Sequence, residues 1–299
     1  GGMGLTGVIL RVKFMLKKIE TSYIDQIQVK AKDLYEIFDL FEAYKHYTYS
    51  VAWIDCLKRG KHFGRSILMV GETARYDQLN TLFKERHLSV HKNAHISFPI
   101  NIPTILLNPI SMQLFNQLFY MKNIRKQIHQ ITHYDNFFYP LDKVLHWNRG
   151  YGKRGFIQYQ FVLPIESSKK GLIDILQRIN RYGSGSFLAV LKLFGKDEGI
   201  ISFPMEGYTL ALDFPIKREL FTFLDKLDRV VLEYGGRIYL TKDARMKPEI
   251  FWNSYRTAHE WYRIMKKHNP ENKFRSLQSD RLGITSVQYK QAAWKQHSY

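Results

Sequence analysis

Apolar positions along this chain repeat with two different periods, and the switches between them predict its elements. The pattern is clearest between residues 156 and 241. Phe156 to Pro164 reads as a strand, and residues 168 to 182 place Leu172, Ile173, Leu176 and Ile179 at helical spacing before Gly183 stops the helix. Ser186 to Phe194 follows as a strand, then Ile200 to Pro204 and Tyr208 to Phe214. Leu220, Leu224, Leu227 and Val231 mark a helix closed by Gly235-Gly236, with Arg237 to Thr241 as the last strand. The order is β-α-β-β-α-β, the split arrangement in which helices cover one sheet face and leave the other free for a ligand.

A similar pattern comes earlier: Ile24 to Ala31 as a strand, Leu34 to Tyr44 as an amphipathic helix, Tyr47 to Cys56 and Ser66 to Glu72 as strands, Tyr76 to Arg86 as a helix. The expected fold is α+β: one large, mostly antiparallel sheet built from ferredoxin-like β-α-β-β-α-β units, helices on one face, and a helical, aromatic and basic segment after Met246. Residues 95 to 112 are punctuated by proline and read as irregular. Met112 to Gln130 reads as a helix with Leu114, Leu118, Ile124 and Ile128 among its apolar positions, and Val8 to Leu16 reads as strand-like.

Composition narrows the class. The 299 residues, 45% hydrophobic and 15% aromatic, suffice for one large core or two modest ones. Cys56 is the single cysteine, so no intrachain disulfide forms and a reducing compartment is expected. The apolar run Thr104 to Leu107 lies between Pro103 and Pro109, far below the roughly 20 residues of a membrane helix, and no secretory signal is visible. The excess of 45 Lys and Arg over 27 Asp and Glu, +18, suits phosphate, nucleic acid or an anionic lipid surface without choosing among them.

Candidate chemistry sits on the strands. Gln158 and Gln160 alternate, so both amides point to one face, where a buried polar group needs a partner. Lys192 belongs to Lys-Leu-Phe-Gly, and Lys242 to Tyr-Leu-Thr-Lys-Asp-Ala-Arg; the plain alternative for Lys242 is a surface ion pair with Asp243 or Glu233. His87, His91 and His95 recur every four residues, as do His129 and His133, yet no acidic third ligand accompanies them and no metal is expected. The opening Gly1-Gly2-Met3-Gly4-Leu5-Thr6-Gly7 suggests tight turns or close backbone approach to a ligand, and reads like a cut edge, a cloning scar being the alternative.

That glycine cluster, together with Tyr49-Ser50-Val51-Ala52-Trp53, Trp147-Asn148-Arg149-Gly150-Tyr151-Gly152, Gln158-Tyr159-Gln160-Phe161, Lys192-Leu193-Phe194-Gly195, Ser202-Phe203-Pro204 and Leu212-Asp213-Phe214-Pro215-Ile216-Lys217, resembles the decaprenylphosphoryl-β-D-ribose 2-oxidase family, FAD-linked oxidases of the vanillyl-alcohol oxidase type, from residue 1 to about Gly283. The resemblance implies a flavin domain split around a substrate (cap) domain. Residues 1–20 would be the terminal strand of the flavin domain, 21–236 the cap, and 237–299 the returning flavin-domain segment, with the main FAD-cradling part missing and this chain alone inactive. It further implies a cofactor, FAD, held by Lys242, Gln158, Gly2, Gly4 and Gly7, with Lys242 as the catalytic charge. Substrate would meet Gln158, Gln160, Lys192, Thr209 and Ala211, and apolar walls from Trp53, Leu188, Phe194 and Phe138. Thr209 and Ala211 stand where mycobacterial members have Asn and Cys, Tyr208 replaces a Trp, and Phe138 stands where Tyr is frequent, so a thiol-directed inhibitor should fail here. The implied reaction is oxidation of the C2 hydroxyl of a polyprenyl-phosphate-linked pentose, the first half of an epimerisation that a reductase partner completes. A cytoplasmic or inner-membrane-peripheral location with contact to anionic membrane is expected.

Two other classes compete. A basic ferredoxin-like module would bind nucleic acid, and Arg154 to Phe161 echoes an RNA-recognition motif, but Ile157 and Gln158 break the pattern and the segment lies on the first strand, so no nucleic acid is expected. A non-catalytic interaction domain is the third.

Overall fold

A computed structural model of the chain describes residues 1–90, 96–103, 106–183, 185–186, 188–197 and 199–286. The N-terminal unit comprises β1 (Tyr23–Ala31), α1 (Leu34–Ala43), β2 (Tyr49–Ile54), β3 (Ser66–Thr73), the single turn α2 (Thr81–Lys84), β4 (Ile96–Ser97), α3 (Pro109–Lys122), β5 (Gln127–His133), α4 (Tyr134–Phe138) and β6 (Val144–Leu145). The second unit comprises β7 (Phe156–Pro164), α5 (Ile165–Tyr182), β8 (Val190–Phe194), β9 (Gly207–Pro215), α6 (Leu220–Glu233) and β10 (Arg237–Ile238). Helices α7 (Pro248–Ser254), α8 (Ala258–His268) and α9 (Leu277–Arg281) follow.

Eight strands form one sheet in the order β10-β7-β9-β8-β2-β3-β1-β5, and every pairing in it is antiparallel. In the sheet β5 lies beside β1 as β10 lies beside β7, and β3 lies between β1 and β2 as β9 lies between β7 and β8; the two units meet edge to edge where Ala52 opposes Leu191 and Trp53 opposes Val190. The expectation of one broad sheet from two such units holds.

The elements form where periodicity and caps agree. Asp33 caps α1 by accepting from the Tyr35 and Glu36 amides, and α5 ends on Gly183 at φ +70°, the left-handed position that favours glycine. Alternation then sorts the strands. Tyr159, Phe161, Leu163, Leu191, Leu210, Leu212 and Phe214 turn to one face and bury against α1, α5 and α6, within one core that also takes in Leu5 and residues of α7 and α8. Burying each such side chain stabilises the fold by about 1.5–3 kcal/mol.

Four local expectations are corrected. Gln127–His133 is not helical: it pairs along β1, because a strand edge takes its hydrogen bonds where helix propensity is indifferent. Tyr76–Arg86 breaks into a 3₁₀ turn (Tyr76–Gln78) and α2, interrupted by Asn80, whose side chain caps the second piece. Ile200–Pro204 is a turn and bend segment, held by burial of Ile201 and Phe203 rather than by a ladder. Val8 to Leu16 carries no strand pairing and its apolar side chains are exposed. Of the histidines, His129 pairs with Asp25 and His133 with Asp135, while His91 and His95, like Thr104 and Ile105, lie outside the described residues. Among the described residues no helix is long and apolar enough to cross a membrane.

Candidate functional site

The face of the second unit opposite its helices carries polar side chains in register. Gln158 opposes Asp213, Gln160 opposes Ala211, which opposes Val190, and Val162 opposes Thr209, which opposes Lys192. Directly opposite residues share a face. The alternation that sends Tyr159, Leu210 and Leu191 into the core therefore sends Gln158, Gln160, Thr209, Ala211, Asp213 and Lys192 to the other side, where Gln160, Thr209 and Asp213 are covered, Gln158 and Ala211 are half-buried and Lys192 is exposed.

Lys242 joins them from the chain's return. Tyr239 continues the ladder beyond β10 by donating to the Gln160 carbonyl (2.9 Å), and a 3₁₀ turn over Leu240–Lys242 then swings Lys242 over β7. The turn is pinned from behind. The Asp243 carboxylate accepts from the Arg245 and Met246 amides and pairs with Arg281 of α9 at 2.7 Å, while Gln278 donates to the Leu240 carbonyl (2.6 Å). Asp243 is thus committed elsewhere, and among the described residues Lys242 makes no ion pair within 4.0 Å. The surface pairing weighed for it does not occur.

Electrostatics ties the cluster together. Burial lowers the Lys242 pKa, and the Asp213 carboxylate works against that. Lys192 is lowered first by the crowding of the sheet around its stem and then by repulsion from Lys242, although part of its side chain remains open to solvent. Asp213 is pushed up to about 6 by burial, against hydrogen bonds from Gln158 and Tyr151 and the pull of Lys242. Its amide donates to the Ser186 hydroxyl (2.9 Å), and the Tyr151 hydroxyl lies 3.4 Å from its carboxylate. Gln160 donates its amide to Thr209 (3.0 Å), which donates onward to the Phe161 carbonyl (2.8 Å). The result is a line of oriented polar groups beside two ammonium groups that lack a carboxylate contact.

The remaining candidates divide. Phe194 packs edge-on against Phe203 at 6.0 Å, and Phe203 stacks on Tyr239 at 4.4 Å, so the residue 199–204 segment walls the side next to Lys192. Leu188 adjoins Ser186, to whose hydroxyl its amide donates (3.1 Å). Trp53 shares a face and a cross-strand row with Val190, Ala211 and Gln160, but it is buried beneath Phe119 of α3 at 4.8 Å. Phe138 does not join the cluster: it packs on Tyr49 of β2 at 4.9 Å, three strands from β7, or about 14 Å at ordinary strand spacing. Gly4 and Gly7 adopt φ +70° and +147°, and a Cβ on either would meet nothing within 4 Å, so their backbone faces open space, while Gly2 is backed by Thr6. Asp213, Tyr151 and Ser186 were missed as site residues. The signal was present in the alternation Thr209, Ala211, Asp213; nothing in the sequence placed Tyr151 beside it.

The cleft between Gln158, Gln160, Ile238 and Lys242 encloses only about 10 Å³, so a ring-sized ligand would lie against this face rather than inside it. The donor set fits a flavin: two ammonium groups without a carboxylate contact suit a planar ligand that accumulates negative charge, and the amides suit its carbonyl edges.

No protein-family model matches the chain. The chain is 37% identical over 289 residues to the decaprenylphosphoryl-beta-D-ribose oxidase of Mycolicibacterium smegmatis, which covers 95% of this chain and 62% of that protein. It is also 26% identical over 296 residues to a Streptomyces coelicolor protein described as an uncharacterized protein in the mprA 5' region, covering 95% of this chain and 79% of the relative. The chain therefore spans about three-fifths of the oxidase it matches.

Proposed function

We propose that this chain, as a member of the decaprenylphosphoryl-β-D-ribose oxidase family, forms the substrate-binding part, with one flank of the flavin site, of an FAD-dependent oxidoreductase acting on a secondary alcohol of a polyprenyl-phosphate-linked pentose. FAD, when bound, would take up the hydride equivalent released from the substrate's C2. Lys242 would hold its pyrimidine edge, assisted by Gln158, with the Gly2–Gly7 backbone along its outer side. A fixed ammonium whose solvation shell is already reduced stabilises negative charge developing beside it without having to reorganise, so Lys242 is the catalytic residue of this reading.

Gln160 would bind the pentose hydroxyls, and Thr209, buried behind it and anchored to the Phe161 carbonyl, would fix its rotamer before substrate arrives. Lys192 would meet the phosphate or the hydroxyl next to it. Ala211 would leave room beside Gln160, and Leu188 and Phe194 would supply apolar walls, with Trp53 reaching substrate only from beneath Phe119. Phe138, three strands away, would touch only a distal part of the substrate. Residues 1–20 and 237–299 would complete a flavin domain whose larger part is not in this chain, and the exposed apolar side chains of Val8 to Leu16 support that division, since such a strip invites a strand partner. A reductase acting on the keto product would complete the epimerisation.

The observation that carries the reading is the meeting of Lys242, Lys192, Gln158 and Gln160 on one sheet face, with Lys192 exposed and Gln160 at its covered end. The test is flavin absorbance. The whole protein should purify yellow and bleach anaerobically with a polyprenylphosphoryl pentose, and Lys242→Met should lower the bleaching rate by about 10²–10³-fold while leaving the melting temperature unchanged. A colourless protein that ignores added FAD, or a Lys242→Met variant that bleaches at the parental rate, sinks the assignment.

A further inference from the structure

Helix α3 is amphipathic the wrong way round for a helix on a water-facing surface. Its inward side sends Met112 into the core but is otherwise rich in polar contacts. Asn116, fully buried, donates to Asp55 (2.8 Å), Gln117 accepts from Arg65 (2.8 Å), and Tyr120 donates to the Ala31 carbonyl (3.2 Å) while its ring lies under Lys30 and Arg65. The outward stripe at i, i+4, i+8 and i+11 is wholly apolar: Ile110, Leu114, Leu118 and Met121 are 79, 59, 61 and 56% exposed, with Ile124 following at 93%. Ordinary surface helices put these two sets the other way about.

The charge around this stripe is one-sided. Between Glu85 and Asp135 the sequence contains no acidic residue, and Lys122 and Arg125 stand exposed at the C-terminal end of the helix beside Lys126, which is exposed but pairs with Glu36 of α1 at 3.1 Å. Beside the helix, Gln113 shares a cavity of about 380 Å³ with Lys58, Arg59 and Arg65, whose one carboxylate, Asp55, is already paired with Arg65 at 2.8 Å. An apolar stripe edged by Lys122 and Arg125, with Lys126 paired to the one nearby carboxylate, Glu36, is complementary to one surface in particular, the interface of an anionic bilayer, where apolar side chains enter the acyl boundary and each basic residue adds attraction.

We propose that α3 docks this protein on an anionic membrane, with Ile110, Leu114, Leu118 and Met121 inserted and Lys122 and Arg125 on the headgroups. The purpose of the docking rests on the lipid-linked substrate proposed above; the docking itself does not. Position supports that purpose. Phe119 of α3 packs on Trp53 with the rings tilted, and Trp53, Val190, Ala211 and Gln160 stand in one cross-strand row on the face that carries the site. An apolar floor about 14 Å long thus leads from beneath α3 to the glutamines, so a chain anchored in the bilayer could lie along it with its sugar at the site.

The test uses vesicles without substrate. A Leu118→Cys form of the whole protein carries an environment-sensitive label, which the buried Cys56, its thiol pushed up to about 12, will not take. A Leu277→Cys form, labelled at a residue of α9 that is more exposed still, 91% against 61%, serves as the control. With phosphatidylglycerol–phosphatidylcholine vesicles, the label at 118 should shift to the blue and be quenched by doxyl lipids, and the label at 277 should not. Pure phosphatidylcholine or high salt should weaken the effect, and Leu114→Glu with Leu118→Glu should weaken vesicle binding by about a hundredfold. The proposal falls if the label at 118 stays in water with vesicles present, if it shifts with protein concentration and no lipid, as a second copy on the helix would cause, or if the double variant binds like the parent. Neither vesicle nor label reports on flavin, so an intact bleaching reaction beside a water-exposed helix would remove the docking and leave the oxidase reading standing.

Discussion

The two halves of the sheet share a plan and differ in what they do with it. Both run β-α-β-β-α-β, and both keep a buried Arg–Asp pair, Arg65–Asp55 at 2.8 Å in the first and Arg245–Asp228 at 2.7 Å in the second. In the second unit both helices are full length, 18 and 14 residues, and both pack on the strands, so the open face beyond is stiff enough to orient Gln158, Gln160 and Asp213. In the first, the second helix has dwindled to the four residues of α2, and the open face is roofed by α3 through Trp53 and Phe119. The comparison teaches that the same topology yields a polar binding surface where helices back it, and a platform for a docking helix where an insertion covers it.

Removing each buried arginine breaks the comparison hardest. Arg65→Met and Arg245→Met each leave a buried carboxylate without its cation, and each should destabilise by about 3–5 kcal/mol in urea unfolding. Arg245 also borders the Lys242 cleft and supports Asp228, to which Tyr159 donates (3.0 Å). At a temperature where both variants remain folded, Arg245→Met should therefore impair substrate oxidation and Arg65→Met should not. Equal loss in both would mean that the halves share one site.

Asp213 sharpens the comparison through pH. Burial raises its carboxyl to about 6, above its value in the unfolded chain. The folded state therefore holds the proton more tightly, and the stability this group contributes is present below about pH 4 and lost as pH rises to about 6, a change of roughly 2–3 kcal/mol. Asp213→Asn should flatten that fall when urea midpoints are measured at pH 4 and pH 6.5. A variant with the parental slope would show that the carboxyl titrates normally.

The smallest effect concerns Phe138 and Gln160. Gln160→Ala should raise KM by about tenfold through the lost hydrogen bond, and Phe138→Ala by less than about threefold. A larger effect at Phe138 would extend the pocket across β2 into the first unit.

Several of these features are legible in the residues. Leu172 to Ile179 and Leu220 to Val231 keep helical period and end at glycines, Phe156 to Pro164 alternates, and each formed the expected element. The segment Gln127 to His133 does not declare itself: Ile124 and Ile128 are four apart as on a helix, yet the unpaired edge of β1 claims the strand. Asp213 was visible in the alternation, but Tyr151, 62 positions away, meets it only once the 3₁₀ turn before β7 is folded.

What the sequence by itself determined is the set of local periods, the glycine stops and the motifs that mark the family, because these depend on neighbours within a few residues. Which face each polar row occupies, how the two units join at Trp53 and Val190, where Lys242 arrives, and that α3 turns its apolar side outward were decided by the tertiary structure. Those outcomes depend on strand register and on polar partners such as Asp55 and Asp213, which come from other elements and which no local pattern can name.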